Sequence, residues 1–139
     1  MPAKRPASRP TIPPDDVRIG QSVEALKRAF LDNLYYVQGR FPAVATKNDI
    51  YMALAYTVRD RLLRRWINTG LTYFEKKSRT AVYLSAEFLL GPHLGNNLIN
   101  LGLFDEVRQA MEELGFDLAA LLDQEEEPGL GNGGLGRLA

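Results

Sequence analysis

Apolar residues recur at helical spacing through most of this 139-residue chain, in stretches separated by glycine, proline and polar breaks. Ser22 is placed to cap a helix carrying Val23, Leu26, Phe30, Leu34 and Val37 on one face. Gly39 and Pro42 predict its end. After a loop through Ala43-Val44-Ala45, the spacing of Thr46 to Asp49 predicts a capping arrangement for a long second helix. Its stripe is Tyr51, Leu54, Ala55, Val58, Leu62 and Trp66, and Gly70 is expected to stop it. Thr80-Ala81-Val82-Tyr83-Leu84-Ser85 reads as the one strand, short and apolar like a buried strand of a parallel sheet. Three short helices follow, roughly 94–101, 104–114 and 117–123, with Leu103, Val107 and Met111 forming a core stripe. Glu125-Glu126-Glu127 and Pro128 then link into a glycine-rich end, and no internal repeat is visible.

Composition adds a boundary and several exclusions. Residues 1–20 hold five of the eight prolines, so 1–21 is expected to be a flexible, basic arm, with 22–139 forming part of one domain. Ser8, after Arg5-Pro6-Ala7, lies within reach of a kinase, although an unmodified tail is the simpler reading. The net charge is zero but unevenly spread: residues 21–80 carry eleven basic and five acidic side chains, residues 81–139 two and ten. No aromatic-interleaved basic motif accompanies this split, which argues against nucleic acid and for neutralisation between the halves or a partner subunit. The chain has no cysteine and a single histidine, His93, which excludes disulfides and argues against a zinc cluster. No apolar run approaches the roughly 18 residues of a membrane span. A soluble, cytoplasmic protein is expected.

Two features carry candidate chemistry within the helical part. Arg59, Arg61, Arg64 and Arg65 crowd the last turns of the long helix, where cations suit its dipole. A solvated, ion-paired helix end is the plainer reading, and an anion-sensing or subunit-contact surface the functional one. Glu87 follows the expected strand, the position at which ligands are met in α/β folds, and could equally anchor a neighbouring basic group.

Five of the chain's 12 glycines lie between Gly129 and Gly136, directly before Arg137-Leu138-Ala139, which reads as the start of a helix. A loop with so few side chains lets backbone N–H groups approach a ligand, and a helix N-terminus behind it favours an anion. With no room for two helical turns, the chain is expected to be the N-terminal part of a longer protein. Gly131-x-Gly133-x-x-Gly136 matches the dinucleotide fingerprint only as a bare pattern, because an acidic, proline-containing segment precedes it instead of a strand. The nucleotide-triphosphate loop is excluded, since Arg137 and Leu138 replace its lysine and hydroxyl residue.

The segments VYLSAEFLLG (82–91), GNNLINLG (95–102) and EEEPGLGNGGLGRLA (125–139), with ALAYTVRDRLLRRW (53–66), together resemble the N-terminal region of the α-glucan phosphorylases, the glycogen, starch and maltodextrin phosphorylases. The resemblance covers approximately residues 22–139, and GLGNGGLGRLA is its most specific word. It implies an α/β fold, with this chain as the mostly helical first part of a Rossmann-like domain in a two-domain, GT-B-type glycosyltransferase. It implies phosphorolysis of the terminal α-1,4 bond of a glucan to glucose 1-phosphate, pyridoxal phosphate on a lysine outside this chain, and a homodimer. By position, Gly133 and Gly134 would offer N–H donors to the substrate phosphate, near the phosphate of the cofactor. Asn132 and Leu135 would shape the sugar side, and Glu87 would be a positioning group near the cofactor. Donors fixed in a dry loop suit a cationic sugar surrounded by phosphate, so no paired-carboxylate engine is needed.

Some positions depart from the family pattern. The animal enzymes build an AMP site from the tryptophan matching Trp66, two glutamines and a tyrosine; Gly70, Leu71 and Phe74 occupy the last three places here. Nucleotide activation of that type is therefore not expected. The arm lacks a counterpart of the animal regulatory serine, and Pro92 stands where many members have arginine. These departures imply a prokaryote-like, less regulated member. The 139-residue chain alone is expected to be inactive. The competing reading is a non-catalytic fragment that only binds a phosphorylated ligand or another subunit.

Overall fold

A computed structural model describes residues 16–85, 90–126 and 128. Among these residues the chain is mostly helical: α1 spans Val23–Asp32 and continues as a π-helical segment Asn33–Val37, followed by α2 Lys47–Lys76, α3 Leu94–Leu101, α4 Phe104–Glu113 and α5 Leu118–Leu122.

The helix starts follow the local chemistry. The Ser22 hydroxyl accepts from the Ala25 amide, giving one of α1's unpaired donors a partner. At α2 the capping box is complete: Thr46 Oγ1 accepts from the Asp49 amide at 3.2 Å, and the Asp49 carboxylate accepts from the Thr46 amide at 2.9 Å. Asp117 caps α5 through the Ala119 amide. Gly102, in the left-handed region at φ 67, closes α3 and turns the chain directly into α4.

One apolar core lies where the helices meet. Leu26, Phe30 and Leu34 pack with Ala53, Leu54 and Val58 of α2, and Leu94, Leu98, Leu103, Val107 and Met111 close the opposite side. The expected stripe Leu103, Val107, Met111 is thus wholly buried. Phe30 meets Phe116 with ring centroids 5.6 Å apart and planes tilted by 57°, a favoured aromatic arrangement. Each fully buried Leu or Phe contributes about 1.5–3 kcal/mol, so this cluster dominates the stability of the region.

Four expectations are corrected. The first helix does not end as an α-helix but widens to a π-turn over Asn33–Val37, and Arg40 N–H reaches back to the Leu34 carbonyl. Val37 is consequently carried out of the apolar face and is half-exposed. Gly70 does not stop α2, which runs six residues further to Lys76. Glycine lowers helix propensity by about 1 kcal/mol without forbidding the conformation; the true end is Lys77 at φ 50, where Ser78 N–H bonds the Tyr73 carbonyl. Trp66 leaves the buried stripe and is 73% exposed, because the core covers only the first half of α2. Finally, Thr80–Ser85 forms no strand ladder; Val82, Tyr83 and Leu84 are exposed, and no other strand is present among the described residues to pair with them.

Candidate functional site

The residues to which the sequence assigns chemistry, Glu87, Asn132, Gly133, Gly134 and Leu135, lie outside the described residues. The structure does describe the chain on both sides of Glu87 and ahead of the glycines. Leu90 to His93 lead into α3 after Glu87, and Gln124 to Glu126 follow α5 ahead of the glycines.

These two flanks are joined by one carboxylate. Glu125 Oε1 accepts from the His93 amide and Oε2 from the Leu94 amide, both at 2.8 Å. His93 provides no side-chain cap, and α3 has no acid in its first turn, so Glu125 fills a role that local sequence leaves vacant. The Glu125 amide is itself held by the Leu122 carbonyl at 3.1 Å. Gly95 brings the first turn of α3 against Leu122, where an added Cβ would stand 3.6 Å from a methyl of that leucine. The Tyr51 hydroxyl of α2 completes the setting: burial pushes its pKa up, and the Glu125 charge pushes it the same way. Beside them, the side-chain oxygen of Gln124 is buried and takes no donor among the described residues.

The arginine group divides into distinct roles. Arg61 is 3% exposed, not solvated. Its guanidinium donates to the Gly20 carbonyl from Nε and Nη2, and to Arg18 O at 3.2 Å and Thr57 O at 2.7 Å from Nη1. Burial pulls its pKa down to about 10, with Asp60 acting in the opposite direction. Segment 18–20 is thereby tied to α2, and Gly20 is needed there, since a Cβ would stand 2.8 Å from that of Ala25. Arg65 reaches the Asn100 and Leu101 carbonyls at the end of α3, while Arg59 lies over the Tyr56 ring. Arg61, Arg64 and Arg65, with Ile19, Gln21, Asn68 and Leu101, surround a hollow of about 250 Å³. The guanidinium contacts of Arg61 and Arg65 are carbonyl oxygens, so these two act as internal fastening, while Arg59 stays exposed as at a solvated helix end.

Trp66, Gly70 and Phe74 are spaced by four residues and share one exposed face of α2, with Leu71 beside them. Among the described residues no cluster of histidine and acidic side chains is arranged to hold a metal ion. No described helix is long and apolar enough to cross a membrane.

Sequence reasoning missed Glu125 because its partners lie 31 and 32 residues away. The only signal was the absence of a capping side chain before α3, together with an unexplained acidic run.

No family model matches the chain. Individual proteins do. It is 67% identical over 132 residues to a glycogen phosphorylase of Synechocystis, covering 95% of this chain and 16% of that protein. It is 46% identical to the glycogen phosphorylase of Chlamydia pneumoniae, over 85% of this chain and 14% of the relative. The liver form of human glycogen phosphorylase is also 46% identical, over 86% of this chain and 14% of its own length. The chain therefore spans about one-sixth or less of the length of the curated relatives it matches. Such identity, sustained across nearly all of these residues, means that the chain belongs, as a segment, to the glycogen phosphorylase family.

Proposed function

We propose that the full-length protein containing this segment is an α-1,4-glucan phosphorylase, which uses inorganic phosphate to release glucose 1-phosphate from glycogen, starch or maltodextrin. The observation that carries this reading is the 67% identity to a protein named glycogen phosphorylase over 95% of the chain. The protein would have the GT-B-type architecture of two Rossmann-like domains, act in the cytoplasm, and associate as a homodimer. The helical bundle would be the outer support of the first domain, and Thr80–Ser85 would find its sheet partners within that domain. Gly133 and Gly134 would present N–H donors to phosphate, Asn132 and Leu135 would line the sugar side, and Glu87 would position the cofactor region.

Pyridoxal phosphate, the group this family implies, would supply its own phosphate to the proton transfers. The described lysines do not fit it: Lys27 is paired with Glu24 and Glu113, while Lys47, Lys76 and Lys77 are exposed at helix ends. Its anchoring lysine belongs to the remainder of the protein. The role of this segment is to hold the passages that approach the substrate.

The test is an assay of the full-length protein with glucan and inorganic phosphate, following glucose 1-phosphate, beside the isolated 139-residue chain. Phosphate-dependent product from the full-length protein and none from the isolated chain is expected. Phosphate binding without turnover in the full-length protein would favour the non-catalytic alternative.

A further inference from the structure

Along α2, Arg61, Arg64, Arg65 and Asn68 follow the i, i+3, i+4, i+7 spacing of one helix face. That face lines the hollow of about 250 Å³, which Ile19 and Gln21 ahead of α1 and Leu101 at the end of α3 complete. At about 3.6 residues per turn it points away from the face of Trp66, Gly70 and Phe74. Three guanidiniums thus border one cavity, and among the described residues no carboxylate does. Asp60, the acid next to Arg61, has its carboxylate bound to Arg18 Nε at 2.7 Å. Arg61 is a fixed charge: it is buried, its partners are neutral carbonyl oxygens, and at a pKa of about 10 it stays protonated at neutral pH. A buried charge is costly unless an opposite charge meets it. Arg65 reaches the Asn100 and Leu101 carbonyls at 3.4 and 3.3 Å, longer than the roughly 2.9–3.0 Å usual for such bonds, so it is readily redirected. Arg64 is half-buried on the wall of the hollow and makes no hydrogen bond or ion pair among the described residues.

We propose that this hollow is a binding site for a phosphate-type dianion, inorganic phosphate or the head of a phosphate monoester, gripped by Arg64 and Arg65 over the fixed charge of Arg61. The planar forks of arginine match phosphate oxygens two at a time. The volume lies below the roughly 300–1,000 Å³ of pockets that enclose drug-sized ligands, which favours a small oxyanion. Ile19 and Leu101 are buried and give the cavity apolar walls, against which the attraction between opposite charges is stronger than in water. The side-chain amides of Gln21 and Asn68 add uncharged donors for the remaining oxygens. Every residue of this site is among those described, and its ligand is independent of the phosphorylase reading. Once bound, the dianion joins α2, the 19–21 segment and the end of α3 through one ligand.

The full-length protein and its Arg64→Ala, Arg64→Lys and Arg59→Ala variants are titrated calorimetrically with inorganic phosphate and, separately, with methyl phosphate at fixed ionic strength. Phosphate sites elsewhere in the protein are common to wild type and variants and cancel in the comparison. Wild type should show a binding event that Arg64→Ala weakens about 10-fold or more, the loss expected when a hydrogen bond to a charged group is removed. Arg64→Lys keeps the charge without the fork and should fall between the two; it also serves if the alanine variant does not fold. Arg59→Ala removes the same charge from the other side of α2 and should behave as wild type. Phenylglyoxal modification of arginine, mapped by mass spectrometry, gives the location: either ligand should slow labelling of Arg64 and leave Arg59 unchanged. Both ligands test the same site, and tighter binding of methyl phosphate would make an ester the ligand, tighter binding of inorganic phosphate the free anion. Identical titrations of wild type and Arg64→Ala would overturn the proposal, as would equal protection of Arg59 and Arg64. So would an Arg64 that is unreactive without ligand, since the remainder of the protein would then cover the hollow.

Discussion

Asn33 donates its side-chain amide to Thr57 Oγ1 at 3.0 Å across the contact of the first two helical elements, and both residues are at most 3% exposed. Thr57 Oγ1 also donates to the Ala53 carbonyl at 2.8 Å, so its proton is directed away from Asn33 and its lone pair toward it. The pair sits where α1 gives way to the π-turn and fixes that turn against α2.

Thr57→Val keeps the volume but leaves the Asn33 amide unpaired in the core, and should destabilise the fold by about 1–3 kcal/mol. Asn33→Leu combined with Thr57→Val removes both polar groups and should recover part of that loss. Urea midpoints of the single and double variants measure the coupling; a double variant as unstable as the sum of the singles would show that the two groups act independently.

Gly70 and Gly102 should respond to alanine with opposite signs. Gly70 is helical, exposed and has open space where a Cβ would project, so Gly70→Ala should stabilise by about 0.5–1 kcal/mol. Gly102 has equal space but φ of 67, and Gly102→Ala should destabilise by at least about 1 kcal/mol through backbone strain alone. Thermal denaturation of the two variants separates these cases, and stabilisation of both would refute the assigned end of α3.

Acid should loosen the start of α2. Hydrogen bonds from the Thr46 amide and hydroxyl, helped by Arg40, hold the Asp49 carboxyl below its ordinary 3.8. Lys27, and then Gln109, depress Glu113 below 4.5 in the same way. For a depressed carboxyl the stabilisation is complete above the unfolded-state pKa and is lost as pH falls through the lower folded-state value. The melting temperature should therefore decline as pH is lowered below about 4.5, the ordinary range of these groups. Asp49→Asn should lower the melting temperature at neutral pH and reduce its pH dependence in that window; an unchanged pH profile would remove the capping box as its source.

Trp66, the chain's single tryptophan, reports on the uncovered part of α2. With Phe74, Tyr83 and Leu84 also exposed, the isolated 139-residue chain presents more apolar surface than a monomer readily tolerates. Its emission should be solvent-like when dilute and shift to the blue as concentration rises and chains associate. Phe74→Ser should weaken that dependence. A concentration-independent spectrum together with a single monomeric species in sedimentation would contradict it.

Much of the helical frame was legible because its determinants are local. Ser22, the Thr46–Asp49 box and the Leu103, Val107, Met111 stripe each act within a few residues, the range over which sequence patterns operate. The misread features depend on distant neighbours. Arg61 is buried because three backbone carbonyls from Arg18, Gly20 and Thr57 converge on it, and Trp66 is exposed because nothing among the described residues covers that end of α2. Thr80–Ser85 has the composition of a strand, but no other strand is present among the described residues to pair with it. Of the candidate site, sequence supplied the glycines and Glu87, and structure supplied the carboxylate that joins their approaches.

Mechanically, α2 is a beam clamped at one end. Its 30 residues extend about 45 Å at the helical rise per residue, yet burial stops at Arg61, with Arg65 still touching the end of α3. From Trp66 to Lys76 every residue is exposed. A helix of this length resists bending, so a load on its tip is not absorbed along the way but arrives at the clamp as a torque. There the guanidiniums of Arg61 and Arg65 grip the Gly20 carbonyl on one side and the last carbonyls of α3 on the other. Whatever seizes the far end of α2 acquires leverage on the helix whose opposite end is held by Glu125.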